Sequence, residues 1–328
     1  MRRILVTGGA GFIGSNFVDH ILAKNDTAVT VYDNFSVGRR EHLAKWAGSA
    51  NLAIVEGEVA DTARLCQVLA GHDAVFHFAA NSDIAKAATE PHVDFANGTV
   101  LTESLLEAMR TTGVRRIVFT SGSGVYGDVP PIPLKEDHEP QIPVSTYGAS
   151  KRASEMLISA YCHMFDFVGT VVRFANVVGA NMTHGVTHDF IARLAADPSK
   201  LLIYGDGEQT KPYIHANDVT RAMLAADGAA QSGYSYYNVA SLDQLKVRQI
   251  ADIVIEAMEL KGVRLEFTGG SRGWRADVPV YSLDSSKIRK LGWSNEMNSL
   301  QAVRAAVESR LEEIGYRRPA TAKARTAR

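Results

Sequence analysis

Residues 4–14 read ILVTGGAGFIG, an apolar β-type run that passes into a helical one through Gly8, Gly11 and Gly14. Glycines alone mark any tight turn. Between a strand and a helix they do more: they let the backbone close on a pyrophosphate, which the unpaired N–H groups of the helix start attract. A second β-type run then ends in VYDNFSVG. Its Asp33 falls about 20 residues past the loop, where an acid receives the adenosine ribose hydroxyls. A carboxylate there repels a 2′-phosphate, which favours NAD over NADP. Further on, VEGEVAD ends a strand so that Glu58 and Val59 flank the adenine, and HFAAN ends another beneath the nicotinamide. His77 in that run reads as a satisfied core histidine.

The rest of the chain agrees with a strand–turn–helix beginning. RILVT, AVTVY, LAIVEG, AVFHFA, RIVFTS and GTVVRF read as strands, and segments such as FIGSNFVDHILA and LTESLLEAMRTT between them carry apolar residues at helical spacing. Strands alternating with helices imply βαβ units and a doubly wound, mostly parallel sheet of the Rossmann type, buried on both faces. After about residue 173 the alternation loosens into Gly-, Asn- and Asp-rich loops, then the helices VRQIADIVIEAME and SLQAVRAAVESRLEE. The expected division is a dinucleotide-binding part, 1–172 plus about 207–240, and a smaller C-terminal substrate part, about 173–206 and 241–315. The basic stretch 316–328 reads as a disordered tail.

The totals remove other classes. A net charge of -1 over 328 residues gives no electrostatic case for nucleic acid or a membrane surface. The apolar run after Arg2 and Arg3 is far too short for a signal peptide or a membrane span. Two cysteines, Cys66 and Cys162, cannot build a disulfide framework, so a reducing, cytoplasmic setting is expected. No metal site is expected.

STYGASKRASE sets Tyr147 and Lys151 four residues apart, on one face of a helix. A free phenol titrates near ~10 and is a poor base at neutral pH. An adjacent ammonium lowers that value by favouring the phenolate, so Tyr147 is expected to take a proton from a substrate hydroxyl as hydride leaves the same carbon. Lys151 is also expected to bond the nicotinamide ribose.

With these motifs in hand, the chain resembles the extended short-chain dehydrogenase/reductase superfamily, and within its NAD-dependent epimerase/dehydratase family the nucleotide-sugar 4-epimerases of the UDP-galactose 4-epimerase type. The resemblance runs over nearly the whole chain up to the tail, through TGGAGFIG, DNFSVG, HFAA, VYG, YGASK, RFANVVG, GDGEQTKPYIHANDV and RGWRADVPVYSLDSSKIRKLGW. It implies further NAD contacts from Phe12 and Ile13, from Asn34, Ser36 and Gly38, and from Phe78, Ala79 and Ala80. It implies a nucleotide-diphosphate sugar, a UDP-hexose first, with Ser82 near the sugar and Asn176 on the diphosphate. The loop holding His184 and Val186 would lie against sugar and base, and Ile203 and Tyr204 would pack the base. Lys211 takes a place more often held by Arg, which exchanges a bidentate fork for a point charge. Arg272, with Arg275 close behind, would be the second phosphate contact. Members usually pair as homodimers through the LTESLLEAM and Tyr147 helices.

Two positions depart from the family pattern. The Ser or Thr that relays the substrate proton stands three residues before the Val of VYG, and here that residue is Gly122. The hydroxyl falls to Ser121 or to Ser123, or else to water. By helix register a family Asn falls on Gly98, beside Asn97. Ser123 and Gly124 also stand where 4,6-dehydratases carry an Asp-Glu pair. These residues favour NAD-dependent 4-epimerisation through a transient 4-ketone. UDP-glucuronate decarboxylation, 4,6-dehydration and a catalytically silent dinucleotide-binding protein stand as alternatives.

Overall fold

The computed structural model describes residues 1–81, 86–87, 89–129, 132–273, 278 and 280–318. The chain opens with β1 (Arg2–Thr7), α1 (Phe12–Leu22), β2 (Thr27–Asp33), β3 (Leu52–Glu56), α2 (Thr62–Leu69) and β4 (Ala74–His77). Next, α3 (His92–Asp94) runs through a π-helical turn (Phe95–Val100) into α4 (Leu101–Thr112), and β5 (Arg116–Gly122) follows. Then come β6 (Pro133–Leu134), α5 (Thr146–Phe165), β7 (Val168–Phe174), β8 (Asn176–Val178), α6 (Val186–Ala196) and β9 (Lys200–Ile203). The remainder is β10 (Thr210–Lys211), β11 (Tyr213–His215), α7 (Ala216–Ala229), β12 (Gly233–Val239), β13 (Leu245–Lys246), α8 (Val247–Ala257), β14 (Arg264–Phe267), β15 (Ser282–Leu283), α9 (Ser286–Arg289) and α10 (Ser299–Glu313).

Seven strands pair in parallel in the order β12-β7-β5-β4-β1-β2-β3. Strand side chains alternate between faces, and the core divides accordingly. Ile4, Val6, Phe76, Val118 and Val172 pack with α1 and α7 (Phe17, Val18, Val219, Met223). Leu5, Val75, Ile117, Phe119 and Val171 pack with α2, α4 and α5 (Leu65, Leu105, Met109, Ile158). Both faces are covered, so the inner strands read as unbroken apolar runs. The six strands expected from the sequence are β1, β2, β3, β4, β5 and β7. The seventh, β12, was not among them: GYSYYNV has no aliphatic run, and at the sheet edge its first four residues are only half-buried.

From β3 the chain crosses to β4 on the far side of β1, so the strand order reverses between β1 and β4. Ligands of open parallel sheets bind in the crevice at such a reversal, past the carboxyl ends of the strands. A separate apolar cluster gathers α6, α8 and α10 (Phe190, Ile250, Val254, Val303, Val307) around β8, β9 and β11. Small two-stranded sheets, β8 with β11 and β9 with β14, give it a frame.

Among the described residues one charged pair sits wholly inside. Arg173 of β7 is 0% exposed and bonds both oxygens of the equally buried Glu155 on α5, at 2.9 and 2.6 Å. Its other N–H groups reach the Tyr126 hydroxyl, the Glu136 carbonyl and Gln141 Oε1. A buried charge is tolerated when paired and fully bonded. Here the arrangement ties Tyr126, Glu136 and Gln141 to the sheet.

Candidate active site

The glycine loop is built by close approach. Gly8 has φ +70°, and a Cβ on it would lie 2.6 Å from the Ala79 nitrogen at the end of β4. A Cβ on Gly14 would lie 2.2 Å from the Gly8 carbonyl oxygen. Only glycine lets α1 start so near the loop and the loop so near β4. The helix begins after Gly11 with no side-chain cap and no acidic residue in its first turn. Its first N–H groups therefore keep their attraction for an anion. Phe12 and Ile13 are half-buried, Phe12 against the cluster of α6, α8 and α10 and Ile13 against the core on the α1 and α7 side of the sheet.

Asp33 ends β2 at 6% exposure. Its carboxylate accepts from the N–H of Ala10 and of Phe35, both at 2.9 Å. The acid thus braces the glycine loop as well as standing at its mouth. Gly38 packs against it, since a Cβ there would lie 3.0 Å from Asp33 Oδ1. Asn34 donates to both oxygens of Glu58 and accepts from the Ser36 hydroxyl, which links the three. Val59 is buried against Leu5 and Tyr32. Phe78, Ala79 and Ala80 line the far side, half-buried. His77 is fully buried, bonded to Thr7 Oγ1 at 2.6 Å, and burial drives its titration down to about 3. It is a neutral core histidine, as read from the sequence.

Tyr147 and Lys151 lie in the first turns of α5. Ser145 caps this helix by accepting from the Gly148 N–H. A Cβ on Gly148 would lie 2.4 Å from the Gly124 carbonyl oxygen, so two glycines bring the helix start onto the turn after β5. Lys151 is 6% exposed; its Nζ donates to the Thr120 carbonyl at 2.8 Å and sits over the Phe119 and Tyr147 rings. Burial lowers the ammonium to about 8, against the pull of Glu155 and Asp94. The phenol moves opposite to the expectation. Burial, and then the Asp94 carboxylate, push Tyr147 up to about 12. The cation lies over the ring face, and desolvation of the phenolate outweighs it.

In the opening stretch, Ser121 is 4% exposed and its Oγ has no hydrogen-bond partner among the described residues. Alternation along β5 puts it on the face of Phe119, toward α5. Ser123 is half-buried in the short turn that follows. Gly122 is extended, and a Cβ on it would find only the Phe174 carbonyl oxygen, at 3.9 Å. Gly98 is the reverse: a Cβ there would strike the Ser150 hydroxyl at 2.2 Å. Sequence reasoning missed Asp94, which lines one cleft with Ala80, Asn81, Gly98, Tyr147 and Lys151. A lone Asp ahead of a helix gives no signal of its own.

The expected substrate residues are more dispersed. Asn176 opens β8 and is half-buried. His184 is exposed and bonds Thr183, and Val186 begins α6 half-buried against the cluster of α6, α8 and α10. Ile203 is fully buried in that cluster, while Tyr204 beside it is 49% exposed with Arg193 stacked 4.5 Å over its ring. Lys211 is buried on β10. Arg272 bonds Asp128 at 2.5 Å, which joins the second part to the turn after Tyr126, and its carbonyl lies against Gly205. Ser82 and Arg275 lie outside the described residues.

A sequence profile of the NAD dependent epimerase/dehydratase family matches residues 4–240. The UDP-glucose 4-epimerase of Mycolicibacterium smegmatis is 33% identical over 314 residues, covering 93% of this chain and 97% of that one. A solved UDP-galactose 4-epimerase superposes with a TM-score of 0.84 at 38% identity, covering 95% and 99%. A double mutant of the dTDP-glucose 4,6-dehydratase of Streptomyces venezuelae, solved with NAD bound, superposes at 0.87 with 29% identity, covering 96% and 98%. The uncapped helix start and the glycine contacts at its mouth fit that cofactor. A parallel sheet with this cradle at its strand reversal, matched along nearly its full length, makes the chain a member of the NAD-dependent epimerase/dehydratase family of nucleotide-sugar enzymes, with NAD as its cofactor.

Proposed function

We propose that the protein catalyses NAD-dependent 4-epimerisation of a nucleotide-diphosphate sugar, a UDP-hexose, through a transient 4-ketone. The observation that carries this reading is the makeup of the cleft wall. Tyr147 and Lys151 stand at the crevice beside the cofactor cradle, while the turn against them offers Ser123 and Gly124 in the two places where 4,6-dehydratases carry their Asp-Glu pair. When bound, NAD supplies a hydride acceptor and a cationic ring whose charge favours the phenolate. Gly8, Gly11 and Gly14 would hold its pyrophosphate and Asp33 its adenosine ribose.

Tyr147 would take the proton of the sugar 4-hydroxyl as the C4 hydrogen leaves as hydride, and give it back to the oxygen of the 4-ketone when hydride is returned to the other face of C4. Lys151 stabilises the phenolate from the ring face, anchored by Thr120. The buried, unpartnered hydroxyl of Ser121 supports it as the relay, with Ser123 the alternative. Asn176, Tyr204, Lys211 and Arg272 are the groups for diphosphate and base. The surroundings proposed are a cytoplasmic homodimer. Among the described residues no helix is long and apolar enough to cross a membrane.

Incubating the purified protein with a panel of UDP- and dTDP-sugars, and separating the products, tests the reading. Interconversion of a 4-epimer pair is expected. A 4-keto-6-deoxy product would assign dehydration instead, and retained NAD without turnover of any sugar would mark a silent binding protein.

A further inference from the structure

Asp94 is 2% exposed, and all three of its acceptor oxygens are engaged. Oδ1 accepts from Asn81 Nδ2, Oδ2 from Thr146 Oγ1 and the backbone oxygen from Ser150 Oγ, each at 2.7 Å. Thr146 immediately precedes Tyr147, and Ser150 immediately precedes Lys151. One residue therefore grips α5 at two points a helical turn apart, each beside a member of the pair. Asn81 extends the grip to the loop after β4. The same region explains Gly98: the Ser150 hydroxyl occupies the space a side chain there would need, and it also bonds Thr99. The π-turn contributes as well, because the Asn97 carbonyl accepts from the Asn81 N–H at 3.1 Å. Such turns recur at functional sites.

Among the described residues every hydrogen-bond partner of the carboxylate is neutral and Asp94 forms no ion pair. A buried carboxylate held by neutral donors alone keeps its charge at a cost, and that charge bears on the cleft it lines. We propose that Asp94 is a positioning residue for the Tyr147–Lys151 pair: it fixes both side chains through the hydroxyls that precede them and places a negative charge in the cleft wall that keeps Lys151 cationic. This rests on the reading of that pair as the proton-transfer site.

The other charged or titratable groups facing the pair are Glu155 of α5, already paired with Arg173 and Arg152, and His77 of β4, held neutral by burial. β5 offers only the Thr120 carbonyl and the Phe119 ring. On the helix of Asp94, His92 is exposed and stacks with Phe95. Asp94 and Glu155 both raise the Lys151 titration against burial.

Asp94→Asn keeps the shape, and its amide can accept from Asn81 and donate to the Thr146 hydroxyl, so it removes charge and little else. The measurement is the titration of Lys151 in the NAD-bound protein, followed by NMR of ε-¹³C-lysine and assigned with Lys151→Arg. Asp94→Asn is expected to lower the Lys151 midpoint by about one unit, and the alkaline limb of turnover should move down with it. A midpoint equal to the native one overturns the proposal. If Asp94→Asn does not accumulate as folded protein, Asp94→Ser is neutral and smaller and carries the same expectation. The NMR midpoint is read without turnover. It therefore stands apart from the functional reading, which fails on its own if Tyr147→Phe is fully active.

Discussion

Lys151 holds its proton less firmly than an ordinary lysine, because burial brings it down to about 8. A depressed cation is lost at lower pH, so the phenolate loses its partner as pH rises through that value. Turnover should accordingly fall on the alkaline side near pH 8 in a pH–rate profile, well below the range of a free lysine. Tyr147→Phe keeps the ring and removes the proton acceptor. It should cost about 10²–10⁴-fold in kcat and leave NAD bound, as judged by cofactor released on denaturation. Ser121→Ala and Ser123→Ala should separate in the same assay, with the larger loss expected at Ser121. The open space at Gly122 means that Gly122→Ser is tolerated by the fold. Asp33→Ser should weaken NAD and relax discrimination against NADP, although the lost brace on the glycine loop at Ala10 will blur the second effect. At this scale the sequence revealed what spacing encodes: the three glycines, the acid after them, and Tyr147 with Lys151 one turn on. It did not reveal Asp94, whose role depends on hydroxyls from another helix converging on it, nor the direction in which Tyr147 moves, which burial decides.

The elements meet through backbone rather than side chain at two places, α1 against its own loop and α5 against the turn after β5. Both contacts fail with a single methyl group. Gly14→Ala would put a Cβ 2.2 Å from a carbonyl oxygen, and Gly148→Ala one at 2.4 Å. Overpacking of this kind costs about 1–3 kcal/mol. Gly14→Ala should lose the NAD carried through purification, whereas Gly148→Ala should keep NAD and lose turnover, because it displaces Tyr147 alone. Helices α1, α4, α8 and α10 were legible because burial of one face imposes a period on each, and β1, β2, β3, β4, β5 and β7 because each is a short apolar β-type run. β12 was not, since an edge strand of tyrosines has no aliphatic run.

At the scale of the molecule, the helical layer of α4 and α5 leaves Met156 and Met164 exposed at 43% and 69%, and Phe95 at 54%. With the two methionines on a helix pair expected to face a second copy, a dimeric mass is the outcome expected from light scattering at micromolar concentration. Met164→Glu should shift that mass toward the monomer without changing the far-ultraviolet spectrum. The segment 126–141 shows how differently two ions can hold the same stretch of chain. Arg173 and Glu155 meet where no solvent reaches, at 0% exposure each, whereas Arg272 and Asp128 meet at 39% and 44%. Mobile ions screen only the charges they can surround. Raising sodium chloride is therefore a selective solvent for this segment: it loosens the outer tie and leaves the inner one, so amide exchange should quicken at Asp128 and hold steady at Glu136. The outer hold on this stretch thus softens with ionic strength while the inner one stays set.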